Sequence, residues 1–398
     1  MDTTLRQLFL QHIAQTSDSP MLLTIQKAEG VYLYDNEGKR YTDLISGIGV
    51  SSYGHGNQKI ITAIQHQAAQ YLHLMVYGEY VQQPQVALAK TLCNHLPKTL
   101  NSVYYVNSGS EAIEGAIKLA KRVTGRTQLI AAKNAYHGST HGALSLMDNE
   151  YFTQAYRPLL PNVNFIEYNN TNDLDKITTQ VTAVVIETVQ GEAGYITPQP
   201  DYLLQLRQKC DETGTLLILD EIQCGMGRTG SLFAFEQYGI VPDILVLAKA
   251  FGAGMPLGAF IADATLMQNF THNPVLGHIT TFGGHPVSCA AALAGFEWLL
   301  ETNSYKAAKE KEAIFRDGLK HAAIKDISGK GLMLAIDMGD EDFNKQVIKT
   351  CIENGVITDW FLHCGHKMRI APPLSITTNE IKLACQVILN AIDIELKK

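Results

Sequence analysis

A chain of 398 residues, 46% hydrophobic and 18% charged, has the composition of an ordinary soluble globular protein and more length than one compact core usually supports. Its formal net charge of −7, with no basic run, gives no reason to expect nucleic acid or an anionic membrane as a partner. No apolar stretch approaches a membrane span or the core of a signal peptide, and the seven cysteines are scattered without a CxxC pair, so the expectation is reduced thiols in a cytoplasmic protein, with no metal site.

The N-terminal residues carry apolar positions at helical spacing with charges among them. Residues 24–46 read as a hairpin turning at Asn36, Glu37, Gly38 and Lys39. Gly47, Gly49, Gly54 and Gly56 mark a loop, helical patterns follow over 58–74 and 84–95, and a short strand covers 102–106. The next segment, NSGSEAIEGAIKLAKRVTG, keeps apolar residues at helical period and stops at Gly125, while Ser108 and Glu111 have the spacing of a capping box. A Gly-Ser loop feeding a helix N-terminus presents free N–H groups to an anion, although an ordinary N-cap has the same appearance.

Strands over 129–132, 163–168, 181–187, 216–219, 244–248 and 259–262 then alternate with helices or loops. That order predicts an α/β fold with a mainly parallel sheet covered on both faces. After His285 the pattern changes to long helices over 286–301 and 305–323, a strand-like segment over 331–338, and helices over 342–354 and 379–397. The expected organisation is an N-terminal segment over 1–50 whose hairpin packs on the small domain, a large domain over 51–290, and a smaller α+β C-terminal domain over 291–398.

Two of the apolar runs end on charges, Asp220 after the first and Lys249 after the second. A charge at the end of a buried strand is costly unless it is paired or used, and the carboxyl ends of such strands are where ligands bind. One reading is a structural ion pair. The other is pyridoxal phosphate, which needs a lysine for a Schiff base and an acid to keep its ring nitrogen protonated. Gly225, Gly227 and Gly230 form a literal GxGxxG, but the glycines sit several residues past the strand and no strong helical period follows. His137 and His141 stand four apart without the intervening Glu of a zinc protease, and Gly138 argues against a helix between them.

In order along nearly the whole chain, GVYLYDNEGKRYTDLISGIGV, NSGSEA, AYHG, VVIETVQGEAG, LLILDEIQCGMGRTG, LAKAFGAGMPLGA, TTFGGHP and MRIAPPL resemble the class III aminotransferases. These are pyridoxal-phosphate enzymes of the aspartate-aminotransferase fold (fold type I), and the likeness is greatest to the acetylornithine and ornithine group. The resemblance implies that Lys249 carries the cofactor and shuttles the proton, and that Asp220 binds the pyridine nitrogen. It implies that Gln223 meets the ring hydroxyl, that Ile222 and Tyr136 flank the ring, and that Ser108, Gly109 and Ser110 hold the phosphate. Thr281 would reach the phosphate of the partner subunit, making a homodimer the functional unit, and Glu187 would brace the cofactor region. Arg369 would grip the substrate carboxylate, with Glu192 pairing it when a donor lacks one.

The chain also departs from that pattern: Ser139 stands where relatives often have an arginine for a distal carboxylate, Thr188 where proline is usual, and His285 where asparagine is usual. The implied reaction moves an amino group from an ornithine- or N-acetylornithine-like donor to a keto acid. The alternatives are a transaminase for another ω-amine, an aminomutase, or a non-catalytic cofactor-binding protein, which the intact Lys249 and Asp220 speak against.

Overall fold

The computed structural model describes residues 4–398. Its centre is a seven-stranded sheet in the order Ser102–Val106, Gly258–Ala262, Ile244–Leu247, Leu216–Asp220, Val181–Glu187, Gln128–Ala132 and Val163–Ile166. The last five run parallel to one another, while Gly258–Ala262 is antiparallel to both of its neighbours. Every residue of Val181–Glu187 is buried, as a strand covered on both faces requires. Ala183 and Val185 enter the core under one face, and Val184 and Ile186 the larger core under the other.

Helix Gly109–Thr124 packs the first of these faces through Ala112, Ile113, Ala116 and Ala120, and stops at Gly125 with φ 67°. The helix comes very close to the sheet at Gly115, where a Cβ would lie 2.3 Å from the Phe260 ring. Ser108 caps it by accepting from the Glu111 N–H at 3.2 Å. The reciprocal half of the expected box is displaced by one residue, since the Glu111 carboxylate accepts from the backbone and side-chain nitrogens of Asn107 instead. That leaves the first turn of the helix facing the carboxyl ends of the central strands.

Two further sheets flank the centre. A meander of Ile25–Glu29, Tyr32–Asp35 and Arg40–Asp43 adds a strand to the expected hairpin, and Val356–Ile357 pairs in parallel with its last strand. The C-terminal sheet has the order Asp326–Lys330, Met333–Asp337, Cys364–Ile370, Trp360–Phe361. Of these, the sequence reading located the segment around 333–337 and missed the others, because DISGK and HKMRI interleave charges where an apolar run would signal a strand. The helix expected over 305–323 is a 3-10 turn Ser304–Ala307 followed by Ala308–Gly318. The one expected over 58–74 ends at Gln70, where Tyr71 turns extended.

The glycine-rich loop after Asp220 is a packing device. Its Arg228 is buried and donates to the carbonyls of Leu332 and Pro372 and to the Ser52 hydroxyl, tying the central sheet to both flanks. Beneath the loop lies Glu221, which accepts from the Ala234 and Phe235 N–H groups and from the Thr188 hydroxyl at 2.9 Å. The threonine that departs from the usual proline thus supplies a donor to a buried acid. Similarly, His285 departs from asparagine yet still caps the helix Pro286–Thr302, accepting from the Val287 N–H at 3.3 Å.

Burial pushes Glu221 from 4.5 up to about 7, with Ala234, Thr188 and Phe235 pulling it back. The folded chain therefore holds a proton that the unfolded chain releases. The resulting stability is fully present below pH 4.5 and is lost as the pH rises through about 7. Thr188→Val removes a donor to the charged form, so it is expected to cost about 1–3 kcal/mol at pH 8 and less at pH 5. Denaturant midpoints of wild type and variant at the two pH values measure this, and an equal loss at both would contradict it.

Candidate active site

The register of two neighbouring strands builds the centre of the site. Glu187 and Asp220, the last residues of their strands, sit opposite one another, and Asp220 pairs in turn with Val246. Lys249 follows three residues later as the first residue of a short 3-10 turn, at φ 49°, a left-handed conformation that costs a lysine energy. Asp220, Glu187 and Lys249 line one cavity of about 440 Å³, together with Gly109 and Ser110 at the helix N-terminus. Ile222 and Tyr136 line the same cavity, as do Ser108, Gln223 and Glu192. The charged strand ends and the Gly-Ser helix start therefore converge.

The acids there are not paired with the lysine. Asp220 meets His137, whose Nδ1 lies 2.7 Å from Asp220 Oδ2, and Asp220 Oδ1 accepts from the Ile222 N–H at 2.9 Å. His137 is fully buried; burial opposes its charge, but Asp220 prevails and raises it above the ordinary histidine value. Glu187 accepts from the Gly191 N–H at 2.8 Å and the Tyr136 N–H at 3.4 Å. Burial lifts it to about 7, opposed by His137. Lys249 is held below the ordinary lysine value, chiefly by burial and further by Arg369, with Glu192 acting the other way. A structural Asp220–Lys249 pair is thus not what the site contains.

Beside this centre the Arg369 guanidinium is buried and bonded through each of its nitrogens. Its Nη2 meets both Glu192 oxygens at 2.9 and 3.1 Å, its Nη1 donates to Tyr195 Oη at 3.0 Å and Gln223 Oε1 at 3.2 Å, and its Nε donates to Asp359 Oδ1 at 2.8 Å. The Phe361 ring lies 4.3 Å from the guanidinium carbon. Burial opposes the charge of Arg369, but Tyr195, Glu192 and Asp359 raise it further above the ordinary arginine value. Burial pushes Glu192 up, but Arg369, joined by Lys249 and the Leu362 N–H, holds it below the ordinary carboxylate value. Asp359 goes the other way, raised by burial to about 6 despite the same arginine.

Some expected residues lie elsewhere. Ser139 is exposed and outside the cavity lining; its N–H donates to Ser110 Oγ at 3.0 Å and its hydroxyl meets Tyr136 Oη at 3.2 Å. Thr281 is exposed too, with its carbonyl 2.9 Å from His73 Nε2, away from this chain's cavity. Lys133, a lysine close to Ser139 in sequence that could have stood in for the missing arginine, is spent on a surface pair with Glu167. Sequence reasoning missed His137 as the partner of Asp220, having weighed it as a metal pair with His141, which is exposed, and as a cation near Ser139 for a distal carboxylate. Tyr195 and Asp359 were missed as well. Asp359 had a weak signal, a charge ending the short segment VIT that opens with two apolar residues, ahead of the MRIAPPL motif.

The lining fits pyridoxal phosphate. A buried amine of lowered basicity stands with a carboxylate at strand ends, N–H groups of a helix start face the same space, and Ile222 comes so close to Gly109 that a Cβ there would lie 2.7 Å from it. The buried His137 Nε2 finds no hydrogen-bond partner among the described residues.

Comparison with known proteins agrees. The family model Aminotransferase class-III matches residues 13–392. The acetylornithine aminotransferase of Methanopyrus kandleri is 38% identical over 373 residues, 93% of this chain and 94% of that protein. Among solved structures, the ornithine aminotransferase of Toxoplasma gondii, described with PLP in partial occupancy at its active site, superposes with a TM-score of 0.91 at 30% identity, covering 98% of this chain and 94% of that one. The adenosylmethionine-8-amino-7-oxononanoate aminotransferase of Methanocaldococcus jannaschii superposes with a TM-score of 0.88 at 29% identity over 98% of both chains. With a family match across nearly its full length and a cavity built for the cofactor, the chain belongs to the class III aminotransferases, enzymes that use pyridoxal phosphate to transfer an amino group to a keto acid.

Proposed function

We propose that this enzyme takes the terminal amino group of an ornithine- or N-acetylornithine-like donor and passes it to a keto acid, working as a cytoplasmic homodimer with shared active sites. The observation that carries the reading is the convergence at one cavity of Lys249, the Asp220–His137 pair and Glu192, whose carboxylate meets the buried Arg369. The likeness to relatives named for acetylornithine and ornithine supports the donor class. Free thiols at all seven cysteines suit a reducing compartment.

When bound, pyridoxal phosphate supplies an electron sink for charge developing at the substrate carbon that bears the transferred amino group. Lys249 anchors it and then moves the proton at that carbon, a task helped by a lowered basicity that makes the neutral amine accessible. Asp220 holds the proton on the ring nitrogen, with His137 fixing the carboxylate from behind. The N–H groups of Gly109 and Ser110, with Ser108, hold the phosphate. Gln223 would meet the ring hydroxyl, Ile222 and Tyr136 would enclose the ring, and Glu187 braces the loop carrying Gly191. Arg369 receives the substrate carboxylate once Glu192 moves aside.

Lys249→Ala is expected to abolish turnover and alter the visible absorbance of the bound cofactor. Asp220→Asn, keeping the fold, should slow the half-reaction by roughly 30- to 150-fold, for a loss of about 2–3 kcal/mol. Stopped-flow absorbance reads both, and a rate within twofold of wild type in either variant would remove the assignment.

Acceptor choice follows from the missing arginine. Among the described residues that line the cavity the cations are Lys249 and His137, and the latter is engaged by Asp220. A distal carboxylate without a cationic partner is disfavoured, by about 3–5 kcal/mol where the site is buried. Pyruvate is therefore expected to be penalised less than 2-oxoglutarate, and Ser139→Arg to shift kcat/KM toward 2-oxoglutarate. A thousandfold wild-type preference for 2-oxoglutarate would contradict this reading.

The shared site rests on Thr281, exposed in one chain at the end of a loop that leads to helix Pro286–Thr302. Sedimentation should give a dimer, and Thr281→Val should weaken cofactor retention on dialysis. A fully active monomer would refute the arrangement.

A further inference from the structure

Resting on the reading of Arg369 as the carboxylate receptor, we infer that Asp359 is a positioning residue: the fixed counter-ion of Arg369, which occupies its Nε edge and leaves the Nη2 corner as the place where Glu192 and a substrate carboxylate exchange.

Two acids hold this guanidinium, and they are held differently. Asp359 is fastened to the arginine twice, because its carbonyl accepts from the Arg369 backbone N–H at 2.8 Å while its carboxylate accepts from Nε at 2.8 Å. The neighbouring Thr358 hydroxyl donates to the Arg369 carbonyl. The backbone pairing thus holds the Asp359 main chain beside the arginine, and its short side chain keeps the carboxylate close to Nε. Glu192 reaches Nη2 from the loop after Val181–Glu187; its carbonyl accepts from the His363 N–H at 3.2 Å, its carboxylate has among the described residues one further contact, the Leu362 N–H at 3.2 Å, and it lines the cavity, which Asp359 does not. Of the two, Glu192 is the one free to exchange.

The charges give this arrangement a function. A buried guanidinium stripped of its only carboxylate is strongly destabilised. With Asp359 in place, the departure of Glu192 leaves a neutral pair, so the exchange does not strand a charge. The same counter-ion tempers the attraction that an incoming carboxylate feels. It also fixes the approach, since Nε is occupied and Nη1 is shared by Tyr195 and Gln223. The carboxylate must enter from the cavity side.

The two roles separate in a double-mutant cycle read by binding. In wild type, Glu192 competes for whatever charge Asp359 releases, so Asp359→Asn alone shifts carboxylate affinity little. With Glu192→Gln as background the competitor is gone, and adding Asp359→Asn should tighten propionate binding to the holoenzyme by about tenfold in isothermal titration calorimetry. Asp359→Glu in that background keeps the charge and should leave the affinity within about twofold. Loss of a merely structural residue would weaken binding, whereas removing a counter-ion tightens it. If Asp359→Asn does not fold in that background, Asp359→Thr carries the same test, with thermal unfolding as the check. Unchanged or weaker propionate binding, while Arg369→Lys abolishes it, would overturn the role of Asp359 alone. If Arg369→Lys leaves propionate binding intact, the receptor reading falls and this inference with it.

Discussion

The site depends on a problem of buried charge. Glu187 and Asp220 end neighbouring parallel strands in register, so the sheet sets two carboxylates side by side at a place closed off by the core below. Two like charges at such a spacing cannot both be sustained without a cation. His137 supplies it, buried and 2.7 Å from Asp220, and burial with the neighbouring Asp220 keeps Glu187 near neutrality at about 7. One acid is thus committed to the charged pair and the other is left adjustable. The division follows from strand register, which no change of side chain at the surface would alter.

Arg369 presents the mirror image, a buried cation balanced by acids from two other parts of the chain. Asp359 comes from the segment ahead of strand Trp360–Phe361, Glu192 from the loop after the central strand Val181–Glu187. Gln223 joins the two centres, since it lines the same cavity as Asp220 and Lys249 and its Oε1 accepts from Arg369. A shift of the C-terminal sheet would therefore be felt at the central one. Arg228 reinforces the link from beneath, bonded to the carbonyls of Leu332 and Pro372 on one side and to Ser52 on another.

How much of this the sequence disclosed depends on the kind of interaction. The central strands are legible because burial on both faces demands unbroken apolar runs, and Asp220 and Lys249 stand out because they end such runs. Helix Gly109–Thr124 is legible through its period and its stop at Gly125. Strands Asp326–Lys330 and Cys364–Ile370 are not, since a sheet with one partly wet face tolerates lysine, histidine and serine along it. His137 was opaque for another reason. Its partner lies 83 positions away, and only the fold brings a histidine after a tight turn beneath the end of a distant strand. Asp359 and Arg369 are ten apart in sequence yet pair across a turn that no local signal marks. Ser139 was expected to matter by what it replaces; the structure gives it an outward position on the Tyr136 side of the loop, bonded to Ser110.

These observations bear on how such a site recognises substrates. Every nitrogen of Arg369 is already engaged, so on the proposed reading of this arginine a substrate carboxylate would have to replace a contact of the same chemistry. The free energy of that exchange is the difference between two carboxylate–guanidinium pairs, which is small beside either pair alone. Affinity for a carboxylate therefore has to come from contacts elsewhere along the substrate, and a donor lacking a carboxylate at that end loses little by leaving Glu192 where it is. On the proposed reading, a saturated arginine would let one site serve both kinds of partner, an amine presented by its far end and a keto acid presented by its near one.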